Sequence, residues 1–127
     1  MREARLYEKL QGAKVRCFLC AHRCVIADGS GGLCGVRRNQ GGILYAATYE
    51  RVISANPDPI EKKPLYHYKP GTWSMSVATV GCNFTCDFCQ NHSISQLLKD
   101  NPGQSIPGGQ LEASRIVKEA RRHGCET

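Results

Sequence analysis

The chain has 127 residues, with 17 Lys and Arg against 11 Asp and Glu, for a formal charge of +6. At 41% hydrophobic and 22% charged, its composition is that of one globular domain rather than a disordered segment. The basic residues are scattered in short pairs, Arg37-Arg38, Lys62-Lys63 and Arg121-Arg122, with no stripe interleaved with aromatics. A nucleic-acid surface is therefore disfavoured. The first ten residues hold no apolar export region. The longest stretch without a formal charge, 70–86, contains Gly, Ser, Thr and Asn and is too polar to span a bilayer. These features favour a cytoplasmic, reducing setting without a membrane partner. There, the eight cysteines bind metal more readily than they bridge.

In chain order, Leu6 and Leu10 stand one turn apart and predict a short helix over 3–11, ended by Gly12. Residues 17–42 are rich in cysteine and glycine and predict a loop-rich module. Residues 43–53, rich in β-branched and aromatic side chains, predict one strand. Pro57, Pro59, Pro64 and Pro70 mark 54–71 as a linker or wrap. Residues 73–80 predict a strand with small and β-branched residues on both faces, as in a covered parallel sheet. Residues 91–100 predict partial helix, and 101–110 a loop. Ala113, Ile116, Val117 and Ala120 predict a helix over 111–123, with Gly124 leaving it. Residues 1–70 thus read as a cysteine-rich N-terminal module. Residues 71–127 read as one β-loop-α unit and the approach to the next. Such a unit cannot cover its own strand, so an incomplete fragment is expected.

Two cysteine groups carry the chemistry. Cys82, Cys86 and Cys89 have the spacing C-x3-C-x2-C on a loop that leaves the 73–80 strand through Gly81. Three thiolates on a four-iron cluster leave one iron without a protein ligand, just as a catalytic zinc keeps an open position. A closed zinc site completed by His92 or Cys125 is the competing assignment. The second group is Cys17, Cys20, Cys24 and Cys34, four ligands in C-x2-C-x3-C-x9-C spacing. They suit a structural metal, zinc or an auxiliary iron–sulfur cluster, ahead of a redox pair or free thiols. His22 is read as a bystander, Cys125 as a small buried residue of the next strand, and His67 as a packed loop anchor.

The run Cys82-Asn83-Phe84-Thr85-Cys86-Asp87-Phe88-Cys89, with an aromatic before the third cysteine, resembles the radical S-adenosylmethionine superfamily. Thr79 to Phe84, Cys89-Gln90-Asn91, Asp58 to Tyr68 and Pro70-Gly71 resemble its pyruvate formate-lyase activating enzyme-like subgroup. More narrowly, they resemble the radical SAM member of the AmmeMemoRadiSam system. The resemblance implies the first unit of a partial (β/α) barrel behind a cysteine-rich loop/β accessory module. It implies a [4Fe–4S] cluster on Cys82, Cys86 and Cys89, S-adenosylmethionine on the open iron, and Phe88 near the adenine. It further implies reductive cleavage of S-adenosylmethionine to a 5′-deoxyadenosyl radical that abstracts hydrogen from substrate. An electron donor such as flavodoxin or ferredoxin and a protein substrate would be the partners. The chain alone is not expected to turn over. Two other readings compete: a non-catalytic zinc-binding interaction module, and a small iron–sulfur electron carrier.

Overall fold

Short antiparallel pairings dominate the local structure. A computed structural model describes residues 1–127. Its contacts divide into two units, Met1–Tyr49 with Val80–Pro107 and Glu50–Thr79 with Gly108–Thr127.

In the first unit, β1 (Arg2–Glu3), β6 (Ile43–Ala46) and β5 (Arg37–Gln40) form one sheet in that order. A second sheet has the order β2 (Tyr7–Lys9), β3 (Val15–Cys17), β4 (Val25–Ile26). Every pairing in both is antiparallel. The helix expected over 3–11 does not form. Leu6, half of its presumed apolar stripe, is 46% exposed, and Tyr7–Lys9 pairs with Val15–Cys17 instead. The connecting turn takes left-handed backbone at Gly12 and Ala13 (φ 69° and 55°), and the Leu10 N–H donates to the Lys14 carbonyl at 2.8 Å. Cross-strand pairing outweighs the weak helical signal of two leucines.

Ala4, Val15, Cys17, Ile26 and Leu44 form one apolar cluster of this unit, and Ala47, Val80 and Leu98 are buried as well. Beside it, the buried Asn39 amide donates to the Ala13 and Ile26 carbonyls at 2.7 and 2.9 Å and accepts from the Gly42 N–H at 3.0 Å. A polar group inside the unit is thus fully partnered. The strand expected over 43–53 is interrupted. β6 stops at Ala46, the Tyr49 N–H closes a turn on the Ala46 carbonyl, and Glu50 takes φ 55°. Two single-turn helices, α1 (His92–Ser95) and α2 (Leu97–Asp100), realise the partial helix expected over 91–100.

The second unit contains β7 (Arg51–Val52), β8 (Ser54–Pro59), β9 (Trp73–Ala78), β10 (Gly109–Gln110) and α3 (Ala113–Arg122). β8 pairs antiparallel with β9 along its whole length, from Ser54 opposite Ala78 to Pro59 opposite Trp73. A strand therefore occupies the start of the stretch read as a linker. The sheet has two strands, so Pro57 and Pro59 can take positions that need no ladder N–H. The buried Asp58 anchors the turn that follows. Its carboxylate accepts from Lys62 Nζ at 2.7 Å and Lys63 Nζ at 2.9 Å, and from the Ser76 hydroxyl. The Lys62 bond foremost, then those from Ser76 and Lys63, hold this carboxyl far below the usual range. α3 lies within the helix predicted over 111–123.

The expected α/β architecture, a partial (β/α) barrel, is not formed. β9 was to lie in a parallel sheet, but its full-length partner is the antiparallel β8. Its parallel contact is a single bridge between Trp73 and Cys125, flanked by bonds from Glu126 N–H to the Trp73 carbonyl and from Met75 N–H to the Thr127 carbonyl, each 2.8 Å. The remaining strands are short and antiparallel, and no regular alternation of strand and helix appears. Small and β-branched residues suit either kind of pairing. The 60–72 connection between β8 and β9 holds a single 3-10 turn, Ile60–Lys62, in place of a crossover helix. No helix is long and apolar enough to cross a membrane.

Candidate functional site

All eight cysteines are free thiols. Within the first unit, Cys17, Cys20, Cys24 and Cys34 line one cavity of about 400 Å³, together with His22 and Cys82. Backbone pairing brings them there. Cys17 ends β3, opposite Tyr7, and its N–H donates to the Cys24 carbonyl at 2.9 Å. The Arg23 N–H closes a turn on the Cys20 carbonyl at 3.3 Å.

Cys82 opens the second group. Gly81, just before it, has φ 91°. A Cβ there would lie 2.5 Å from Val36 Cγ1 and 2.7 Å from the Cys34 carbonyl oxygen, so only glycine lets the chain pass so close. The Gly81 N–H donates to the Ile94 carbonyl at 2.9 Å. His22 Nε2–H donates to the Asn83 carbonyl at 2.8 Å. Gln96 Nε2 and Lys99 Nζ donate to the Phe84 carbonyl at 3.0 and 2.6 Å. The first turn of the loop is thereby fastened through its backbone.

Farther along, Cys89 N–H bonds the Cys86 carbonyl and His92 N–H bonds the Cys89 carbonyl, each at 3.2 Å. Cys86 is exposed. It borders a depression of about 260 Å³ with Asp87, His92 and Asp100. Cys89 Sγ lies 3.3 Å from Ser95 Oγ, and the Phe84 N–H donates to Cys82 Sγ at 3.4 Å. Phe88 is 88% exposed. The three thiols of this loop thus border different surroundings, and no three Cys, His or carboxylate side chains converge on a common ion.

The donor set is nevertheless chemically suited to an iron–sulfur cluster. Thiolate sulfur is the soft ligand such clusters take. These three sulfurs are free, with no contact stronger than a long sulfur bond. Cys125, in the second unit, occupies the parallel bridge to Trp73 but is half-buried rather than buried. His67 is exposed rather than packed as a loop anchor. His22 bonds Asn83, 61 positions away, a link for which the sequence holds no local signal. The same is true of Gln96 and Lys99 on Phe84.

No protein-family profile matches the chain, and neither does any solved structure. Two curated relatives come from Methanocaldococcus jannaschii. The uncharacterized protein MJ0808 is 47% identical over 125 residues, covering 98% of this chain and 36% of that protein. The uncharacterized protein MJ0674 is 28% identical over 113 residues, covering 83% of this chain and 27% of that protein. The chain thus spans about a third or less of the length of these relatives.

Proposed function

We propose that this chain carries the cluster-binding loop of a radical S-adenosylmethionine protein, with Cys82, Cys86 and Cys89 as three thiolate ligands of a [4Fe–4S] cluster. The observation that supports this reading is the 82–89 loop itself. Its backbone is fastened at Gly81, Asn83 and Phe84, while all three thiols are free. A fourth cysteine ligand is absent from the loop, as a centre with one open iron requires. Phe88, exposed beside the third thiol, offers an aromatic face to the adenine of S-adenosylmethionine. Gln96 and Lys99 hold the Phe84 carbonyl and so limit how far the first ligand can move.

A cluster held by Cys82, Cys86 and Cys89 would supply the electron for reductive cleavage of the carbon–sulfur bond of bound S-adenosylmethionine, and so the means to abstract hydrogen from a substrate. The protein's part is to orient the ligands and exclude competing reactions. The electron donor is of the flavodoxin or ferredoxin class, and the substrate is a protein, by resemblance to activating enzymes. Anaerobic reconstitution with iron and sulfide tests the ligand set. The reading expects about four irons per chain at this loop, lost when Cys86 is changed to Ala. Iron uptake that ignores Cys82, Cys86 and Cys89 would refute it.

A further inference from the structure

The N-terminal thiols play no part in that reading. Cys17, Cys20, Cys24 and Cys34 border one cavity and are free. Two leucines on the same cavity, Leu19 and Leu33, are 50% and 61% exposed, so the thiols stand behind an incompletely closed wall. The apolar core beneath them comprises Ala4, Val15, Cys17, Ile26 and Leu44, and one of its members is itself a thiol. A cluster of five side chains, one of them a ligand-type thiol, is local packing that a metal staple would reinforce. The sulfurs do not converge on one point, and no disulfide joins them. What the backbone supplies is proximity: β3 holds Cys17, the Cys17–Cys24 bond brings Cys24 beside it, and the Cys20–Arg23 turn folds Cys20 back.

We propose that Cys17, Cys20, Cys24 and Cys34 are the ligands of a closed, structural, all-thiolate metal centre. Four thiolates complete tetrahedral coordination, which limits the occupant to zinc or an iron–sulfur cluster. Binding draws the four side chains inward from the cavity wall and releases their thiol protons, so that metal affinity becomes folding stability. The centre fastens β3 and the 17–24 loop to the Cys34 turn. Cys82 borders the same cavity but stands outside the ligand set.

The test uses the full chain with Cys82→Ser, Cys86→Ser and Cys89→Ser together, so its outcome is independent of the cluster assigned to that loop. Purified anaerobically, this variant retains zinc, or iron with inorganic sulfide, and the metal's X-ray absorption shows sulfur as its only ligand atom, with iron–iron scattering in addition where the occupant is a cluster. Which metal is found separates a zinc site from a cluster. Adding Cys20→Ser and Cys24→Ser abolishes the binding. The absorption spectrum of the triple variant stands on its own should the further variant fail to fold. A folded triple variant free of metal, or oxygen or nitrogen among the neighbours, overturns the assignment.

Discussion

Cys17–Cys34 and Cys82–Cys89 carry similar numbers of thiols, but the backbone beneath them differs. The first set hangs from antiparallel strands and borders a single cavity. The second sits on a loop fastened at its start, with Cys86 exposed and Cys89 turned to Ser95. Sulfurs gathered around one cavity suit a centre closed on all sides. Sulfurs on an outward loop suit a centre that must meet a second molecule. The lesson is that cysteine spacing names the donor atoms, while the surrounding pairing decides how open the centre can be.

The sharpest way to break this contrast is to remove one thiol from the open loop. Cys86→Ala should abolish reconstitution of the cluster on that loop, read as loss of its iron and visible absorption. Metal in the N-terminal set should be unchanged. A smaller effect comes from the scaffold of the closed set. Leu44 is fully buried, and Leu44→Ala should cost about 2–5 kcal/mol in denaturant unfolding. Gly81 joins the two sets, because its close approach to Val36 and the Cys34 carbonyl leaves no room for a side chain. Gly81→Ala should cost on the order of 1–3 kcal/mol by the same measurement. His22→Ala removes an exposed bond to Asn83 and should cost only about 0.5 kcal/mol. It should also speed alkylation of Cys82.

Acid distinguishes the second unit from both sets. The Asp58 carboxyl is held below its ordinary 3.8 by Lys62, Ser76 and Lys63, and Glu61 is lowered by the Gly71 N–H at 2.7 Å. A depressed carboxylate stabilises the fold above its ordinary value and loses that contribution as pH falls through the folded one. Thermal stability should therefore be flat near neutrality and fall below about pH 4. Asp58→Asn should lower the neutral-pH midpoint and flatten the acid slope.

The elements legible in the sequence are those whose signal is local. The apolar period of Ala113, Ile116, Val117 and Ala120 marks α3, and the small and β-branched run from Trp73 marks β9. The segment 3–11 departs from its helical period because Tyr7 to Lys9 takes its structure from Val15 to Cys17, a partner that periodicity does not see. The prolines of 54–71 suggested a linker because breaker residues carry no record of the edge strand that tolerates them. The antiparallel setting of β9 is not legible because small and β-branched faces do not encode the direction of a partner strand. At the candidate site, spacing alone grouped both sets of thiols. That Cys82 borders the cavity of Cys17, Cys20, Cys24 and Cys34 depends on contacts far apart in sequence, and no local pattern announces them.

The central claim is an iron–sulfur centre on Cys82, Cys86 and Cys89 with one iron open to S-adenosylmethionine. Electron paramagnetic resonance of the anaerobically reconstituted, dithionite-reduced chain tests it most directly. The account predicts a cubane signal that changes when S-adenosylmethionine is added. A chain with no reducible cluster, or a signal indifferent to S-adenosylmethionine, would contradict it.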